Sequence, residues 1–195
     1  MKKLMLFSIL MLTLLATVHA QVEFNPKVGV NASGLDARID DFRSEARAGW
    51  NAGFDLRIGD RMVFFQPGVH IYNMNAELSQ EPGLDDVTFL QDQTTIQLVK
   101  FPVNMGLRLT GGDGLINIYA LGGFTPTLLA GVRESSTFSL TEDDINDFTY
   151  GANIGVGVDI FFLTLDVRYE VGLNDFYVDS PGKNNMLTAN VGLRF

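Results

Sequence analysis

The chain has no cysteine among its 195 residues. This excludes a disulfide scaffold, a thiolate metal site and a lipid-modified cysteine behind a leader peptide. Histidine is held to two residues, proline to six and tryptophan to one. After the first 20 residues no long apolar run recurs, so no second segment reads as a membrane-spanning helix, which needs about 20 apolar residues. Yet hydrophobic residues make up 46% of the chain and the mean hydropathy is +0.14. The apolar residues are therefore spread thinly along the chain. With 20 glycines and 11% aromatics, that balance points to strands with one apolar face and one small or polar face.

The beginning of the chain reads differently. Lys2 and Lys3 are followed by an apolar run from Leu4 to about Ala16 and then by Val18-His19-Ala20. This charged, apolar and small-residue order is that of a cleaved leader, with the cut expected between Ala20 and Gln21. A spanning anchor is the alternative, but the run is too short for one. The expected organisation is a signal peptide over 1–20 and one domain over 21–195.

Period two dominates that domain. Leu187, Ala189, Val191, Leu193 and Phe195 alternate with Thr188, Asn190, Gly192 and Arg194. The same alternation runs through 148–160, 163–173, 47–58, 99–109 and, briefly, 27–31. Residues 62–74 are less regular, and 115–130 are apolar on both faces in places, which leaves their register open. Successive strand side chains point to opposite faces, so each strand has a greasy side and a polar one. Eight strands result. Short connections fall near Gly59-Asp60, Gly111-Gly112-Asp113-Gly114 and Phe161-Phe162, and long polar ones over about 33–45, 75–92, 134–147 and 174–184. The expected fold is all-β: an eight-stranded antiparallel up-and-down transmembrane β-barrel with short periplasmic turns and four longer acidic extracellular loops.

A soluble barrel with an apolar interior shows the same alternation. Three features favour the membrane form. The polar face is rich in glycine and in charges of both signs, as a small packed lumen requires. The apolar face carries Trp50, Phe148, Tyr169 and Phe195 near strand ends, as interfacial girdles do. The chain also ends on an alternating strand closed by Phe195, which resembles the signal read by the barrel-assembly machinery of Gram-negative bacteria.

The segment Ile96-Gln97-Leu98-Val99-Lys100-Phe101-Pro102-Val103 resembles a recurring strand of the Bacteroidetes outer-membrane β-barrel family often called PorT-like, with Lys100 in place of that family's acid. Tyr119-Ala120-Leu121-Gly122-Gly123-Phe124, the late run from Leu163 to Leu173, and Val191-Gly192-Leu193-Arg194-Phe195 are similar to the strands that follow in it. The resemblance covers nearly all of the mature chain. It implies the barrel fold, an outer-membrane location and, for the namesake branch, an accessory role in type IX secretion.

Charge sorts along the same faces. Without Lys2 and Lys3, 12 bases face 23 acids. On the expected lumen face lie the bases Lys27, Arg47, Arg57, Lys100, Arg108, Arg168 and Arg194 and the acids Asp55, Asp159, Asp166 and Glu170, a net of +3. The long loops hold 16 acids against Arg38, Arg43, Arg133 and Lys183. No formal charge falls on the lipid face. An eight-stranded barrel is just wide enough for side chains to fill, and enclosed charges must pair. Arg57, Lys100, Arg108, Asp159, Asp166, Arg168 and Glu170 are thus expected to form a lumen ion-pair network. Arg168 would be flanked by Asp166 and Glu170, with cross-strand help from Lys100, Arg108 or Asp159. The sharper alternative is a narrow ion pathway.

Catalytic and metal chemistry find little support. His70 is the only histidine after the leader, and the serines fall in loops; no base–nucleophile pair follows. Asp85-Asp86 and Glu142-Asp143-Asp144 could collect divalent cations, but the glycine-centred calcium-loop pattern is missing. No cofactor, metal or enzymatic activity is expected. An acidic rim repels nucleic acid. The partners expected are outer-membrane lipid, the assembly machinery and other envelope proteins, with the barrel itself a monomer. The function expected is structural or interaction-based, through the surface loops. The alternatives are the secretion accessory and a narrow channel for ions or small solutes.

Overall fold

A computed structural model describes residues 21–35, 37–39, 42–46, 48–60, 62–80, 91–110, 114–133, 145–176, 178 and 182–195. The expected leader over 1–20, Arg47, Gly111-Gly112-Asp113, Asp85-Asp86 and Glu142-Asp143-Asp144 lie outside the described residues. The strand segments are β1 Gln21–Leu35, β2 Ala37–Ile39, β3 Phe42–Ala46, β4 Ala48–Gly59, β5 Val63–Gln80, β6 Gln91–Lys100, β7 Val103–Arg108, β8 Ile116–Arg133, β9 Phe148–Ile160, β10 Leu163–Gly172 and β11 Asn184–Leu193. They make eight crossings, because β2 extends β1, β3 leads into β4, and β6 continues as β7.

Every pairing is antiparallel. β1 pairs β4, β4 pairs β5, and β5 pairs β6 and β7. The ladder goes on through β8, β9, β10 and β11. It closes where β11 returns to β1, with Val28 opposite Val191. Closure pairs each of the eight crossings on both sides, and at the loop end the short β2 has β3 as its one described neighbour. At the short-turn end Phe24 and Phe195 exchange backbone bonds, each amide donating to the other's carbonyl at 3.0 Å.

The irregular points have local causes. Pro102 has no amide hydrogen to donate to a ladder, and the fourth crossing is interrupted at Phe101-Pro102. The wall is held there by Phe101 N donating to Pro126 O and Gly68 N donating to Pro102 O, both at 2.8 Å. The β9–β10 turn is only Phe161-Phe162, with Phe161 at φ 57°, the positive value that two-residue hairpin turns demand at their first position.

The faces divide as alternation requires. Val28, Val30, Ile71, Ile154, Val156, Val167 and Leu187 are exposed, while Lys27, Asp55, Arg57, Lys100, Asp166 and Arg168 are buried. The two open registers are now fixed. On β5 the inward residues are Phe64, Gln66, His70, Tyr72 and Met74; on β8 they are Asn117, Tyr119, Leu121, Thr125 and Thr127. Alternation fails there because Phe64, Tyr72, Met74, Tyr119 and Leu121 are apolar residues that fill the lumen. The strands are also longer than the sequence suggests: β1 begins at Gln21, and β5 and β8 run on to Gln80 and Arg133.

Glycine supplies the room. Large inward side chains lie against glycines of the neighbouring strand. A Cβ at Gly106 would overlap the Phe64 ring, one at Gly157 the Tyr119 ring, and one at Gly68 the Asp55 carboxylate.

Candidate functional site

The lumen is filled in layers. At the short-turn end Glu23 accepts two bonds from Arg108 Nη2, both at 3.0 Å, and lies 4.0 Å from Arg57 and 3.6 Å from Arg194. Arg57 reaches across to Asp159 with bonds of 3.0 and 2.8 Å. Its guanidinium stacks 4.4 Å above the Tyr119 ring and 5.1 Å from Phe64, and Arg108 lies 5.0 Å from the other side chain of that pair, Phe64. Cation–π contacts of this kind let an arginine sit on aromatic surface without losing all its electrostatic support.

The middle layer centres on Asp55. Its carboxylate meets Arg168 Nη2 at 2.8 Å, Lys27 Nζ at 2.9 Å, Gln66 Nε2 at 2.7 Å and His70 Nε2 at 2.8 Å. An ionised carboxylate only accepts, so His70 donates through Nε2. Asp166 receives Lys27, Arg168 Nε at 2.8 Å and Asn190 Nδ2 at 2.8 Å. Gln66 passes the chain on, because its Oε1 accepts from Arg57 Nε at 2.9 Å. One connected network therefore joins side chains from β1, β4, β5, β9, β10 and β11. Above it, Lys100 bonds Glu170 at 2.6 Å and lies 5.0 Å over the Tyr72 ring.

Isolated burial of any of these charges would be very costly. Mutual pairing with additional hydrogen bonds offsets that cost. Two small cavities remain beside Lys100 and Glu170, each of about 10 Å³, room for about one water. The side-chain amides of Asn31, Asn51 and Asn104 are buried with no hydrogen-bond partner among the described residues.

All seven residues named from sequence lie on the lumen side, but their partners differ from the expected ones. Arg108 does not join Asp166, Arg168 and Glu170. It sits a layer lower, at the short-turn end, and pairs with Glu23. Glu170 does not flank Arg168; it turns toward Lys100, while the second acid on Arg168 is Asp55. Of the two acids spaced i, i±2 from Arg168, Asp166 keeps its bond while Glu170 is taken by Lys100, which reaches it from across the barrel. Glu23 was absent from the expected lumen set because the clear alternation begins only at Lys27. Counting it, the described lumen holds six bases and five acids. Lys27, Asp55, Gln66 and His70 are central to the network; their inward parity was readable, their convergence was not. Among the described residues no group of three histidines or acids is placed to hold a metal ion.

The cap over the lumen breaks the polar rule. Tyr72, Met74, Ile96, Leu98 and Met186 point inward from the wall, and Ile145 and Phe176 enter from the connections after β8 and β10.

Residues 17–178 match the family model described as the outer membrane protein beta-barrel domain. No curated protein sequence matches the chain. Among solved structures it is similar to the outer membrane protein OprG from Pseudomonas aeruginosa, at 11% identity and a TM-score of 0.56, covering 91% of this chain and 97% of that one. It is also similar to Ail, the attachment invasion locus protein of Yersinia pestis, solved with the heparin analogue sucrose octasulfate, at 14% identity and a TM-score of 0.49, covering 90% and 99%. The likeness to OprG is one of fold.

Proposed function

The chain belongs to the outer membrane protein β-barrel domain family, and from that premise we propose that it is a small non-enzymatic barrel with a closed lumen. Its work is structural or interaction-based and is done by the surface loops and the rims. The observation that carries this reading is the middle layer. Asp55, Asp166, Lys27 and Arg168 saturate one another across the width of the barrel, and a packed ion-pair layer leaves no continuous route for a hydrated ion. His70 is committed to Asp55, which supports a packing role over a catalytic one. In the same reading residues 1–20 are a leader removed on export, and Phe195 is the mark recognised during assembly.

A second reading, an accessory part of a secretion machine, rests on the resemblance of Ile96–Val103 and Leu163–Leu173 to the PorT-like strands. It predicts a secretion defect on deletion and co-purification with other envelope proteins.

Single-channel recording of the refolded mature protein in a planar bilayer tests the closed lumen. A heat-dependent gel shift serves as the control for folding. No unitary conductance is expected. Steady steps that change in Arg108→Ala or Lys100→Ala would overturn the reading and make the barrel a small pore.

A further inference from the structure

We propose that Phe176, backed by Ile145, is a withdrawable stopper that controls access from the loop side to a polar vestibule over Lys100 and Glu170. The wall shows where the stopper sits. Below this level the inward positions are mostly charged, amide, hydroxyl or glycine. At the loop end they change to Tyr72, Met74, Ile96, Leu98 and Met186, a socket of apolar side chains with Leu129 and Val132 packed against it. A polar lumen gains nothing from such a ring unless something apolar fills it.

What fills it comes from the connections and not from the wall. Phe176 follows the end of β10 and Ile145 precedes β9, and both are almost wholly buried. The described ends of the two connections are clipped together through Asn146. Asn146 N donates to Phe176 O at 3.0 Å, and Asn146 Nδ2 donates to Asp175 O at 2.9 Å. Phe176 N donates to Gly182 O at 2.8 Å, and Leu129 N donates to Asp147 O at 2.9 Å. Main-chain clips between connections open at lower cost than a closed ladder does, because segments of this kind come from the low-stability end of a fold.

The space beneath is polar. One cavity is lined by Phe176 itself together with Lys100, Thr127, Thr149 and Glu170. The next continues past Lys100 and Glu170 to Thr125, Asn153 and Arg168. The Glu170 side chain keeps 15% of its exposure, while Asp55 and Asp166 keep none. Withdrawing the stopper therefore opens a blind vestibule for water and small polar solutes. It does not open a through pore, because the Asp55 layer lies deeper. This goes beyond the closed-lumen reading: conductance tests the deeper layer and the stopper is tested separately, so either can fail alone.

The native chain has no cysteine, so one introduced thiol reports access without background. Thr127→Cys places it in the vestibule and Thr164→Cys places it beside Asp159 in the deeper layer. The probe is a charged, membrane-impermeant methanethiosulfonate, applied to folded protein verified by the gel shift. In the native background Thr127→Cys is expected to react slowly. Adding Phe176→Ala is expected to raise its rate at least tenfold, and Phe176→Leu, the milder variant, to raise it less. Thr164→Cys should keep its rate in both backgrounds. An unchanged Thr127→Cys rate in folded Phe176→Ala or Phe176→Leu protein overturns the proposal. A rate already fast with Phe176 present does the same, as does an equal rise at Thr164→Cys, which would mean a loosened barrel.

Discussion

Asp55 sits dry in the barrel with four donors around it, and its removal would leave Lys27 and Arg168 short of a partner. Breaking a buried pair from one side strands the opposite charge, at a cost of about 3–5 kcal/mol. Asp55→Ala is therefore expected to lose that much in urea unfolding from lipid vesicles. Arg194→Ala is the contrast. Its side chain keeps 21% of its exposure and its ion contacts are at 3.6 Å, so less than about 1 kcal/mol is expected. Equal losses in the two variants would deny the middle layer its place as the centre of the network. Glycines divide in the same way. Gly106→Ala drives a methyl into the Phe64 ring and should cost about 1–3 kcal/mol, part of it restored by Phe64→Leu. At Gly34 a Cβ meets nothing within 4 Å, and Gly34→Ala should stay within about 0.5 kcal/mol of the native protein. The sequence alone shows that glycine is frequent on the inner face. It does not show which glycine lies under a ring, because that depends on which strand lies opposite at which height.

At the scale of a strand, alternation carries most of the information. In β9 a shift of one position moves a side chain from Asn153, in the lumen, to Ile154, 67% exposed on the outer face. Arginine on the lipid face near mid-membrane costs about 2–4 kcal/mol. Ile154→Arg is expected to lower stability in vesicles by that amount and to reduce folding yield; a neutral result would contradict the assignment of the apolar face to lipid. Strands β4, β7, β9 and β10 were readable this way because their inner residues are polar or glycine, and β11 because its inner residues beyond Met186 are. Strands β5 and β8 were not, because Phe64, Tyr72, Met74, Tyr119 and Leu121 put apolar side chains inside, and a hydropathy pattern cannot tell an inner apolar residue from an outer one. Pairing partners were hidden for a different reason. Alternation gives the face of a residue, but the stagger between strands gives its neighbours, and β1 opposes β11 through residues about 160 positions apart. Hence the inward side of Arg108 was legible and its contact with Glu23 was not. Ile145 and Phe176 were hidden for a third reason: they lie in connections, where no period applies.

Over the whole molecule most of the outer aromatics fall at two levels, with Phe54 and Phe124 between them. Trp50, Phe148 and Tyr150 are exposed toward the loop end of the apolar face, while Phe24, Phe161, Phe162 and Phe195 are exposed toward the short-turn end. Aromatic girdles of this kind sit at the two interfaces of the bilayer, on either side of an apolar band about 25 Å tall. Val30 and Trp50 are paired across β1 and β4, and Trp50 is opposite Asn73 on β5, where the outer face turns polar. That neighbour fixes the expected depth, because an amide is tolerated at the headgroup boundary and is costly in the hydrocarbon. The chain has a single tryptophan, so its fluorescence reports this one level. In vesicles of brominated lipids, quenching of Trp50 should be strongest when the bromines are close to the headgroups and should weaken as they move toward the chain ends. Strongest quenching at the chain ends would place Trp50 at the bilayer centre. The loop-end aromatics would then lie inside the hydrocarbon, and the apolar cap around Phe176 would sink to membrane depth instead of standing at the outer mouth.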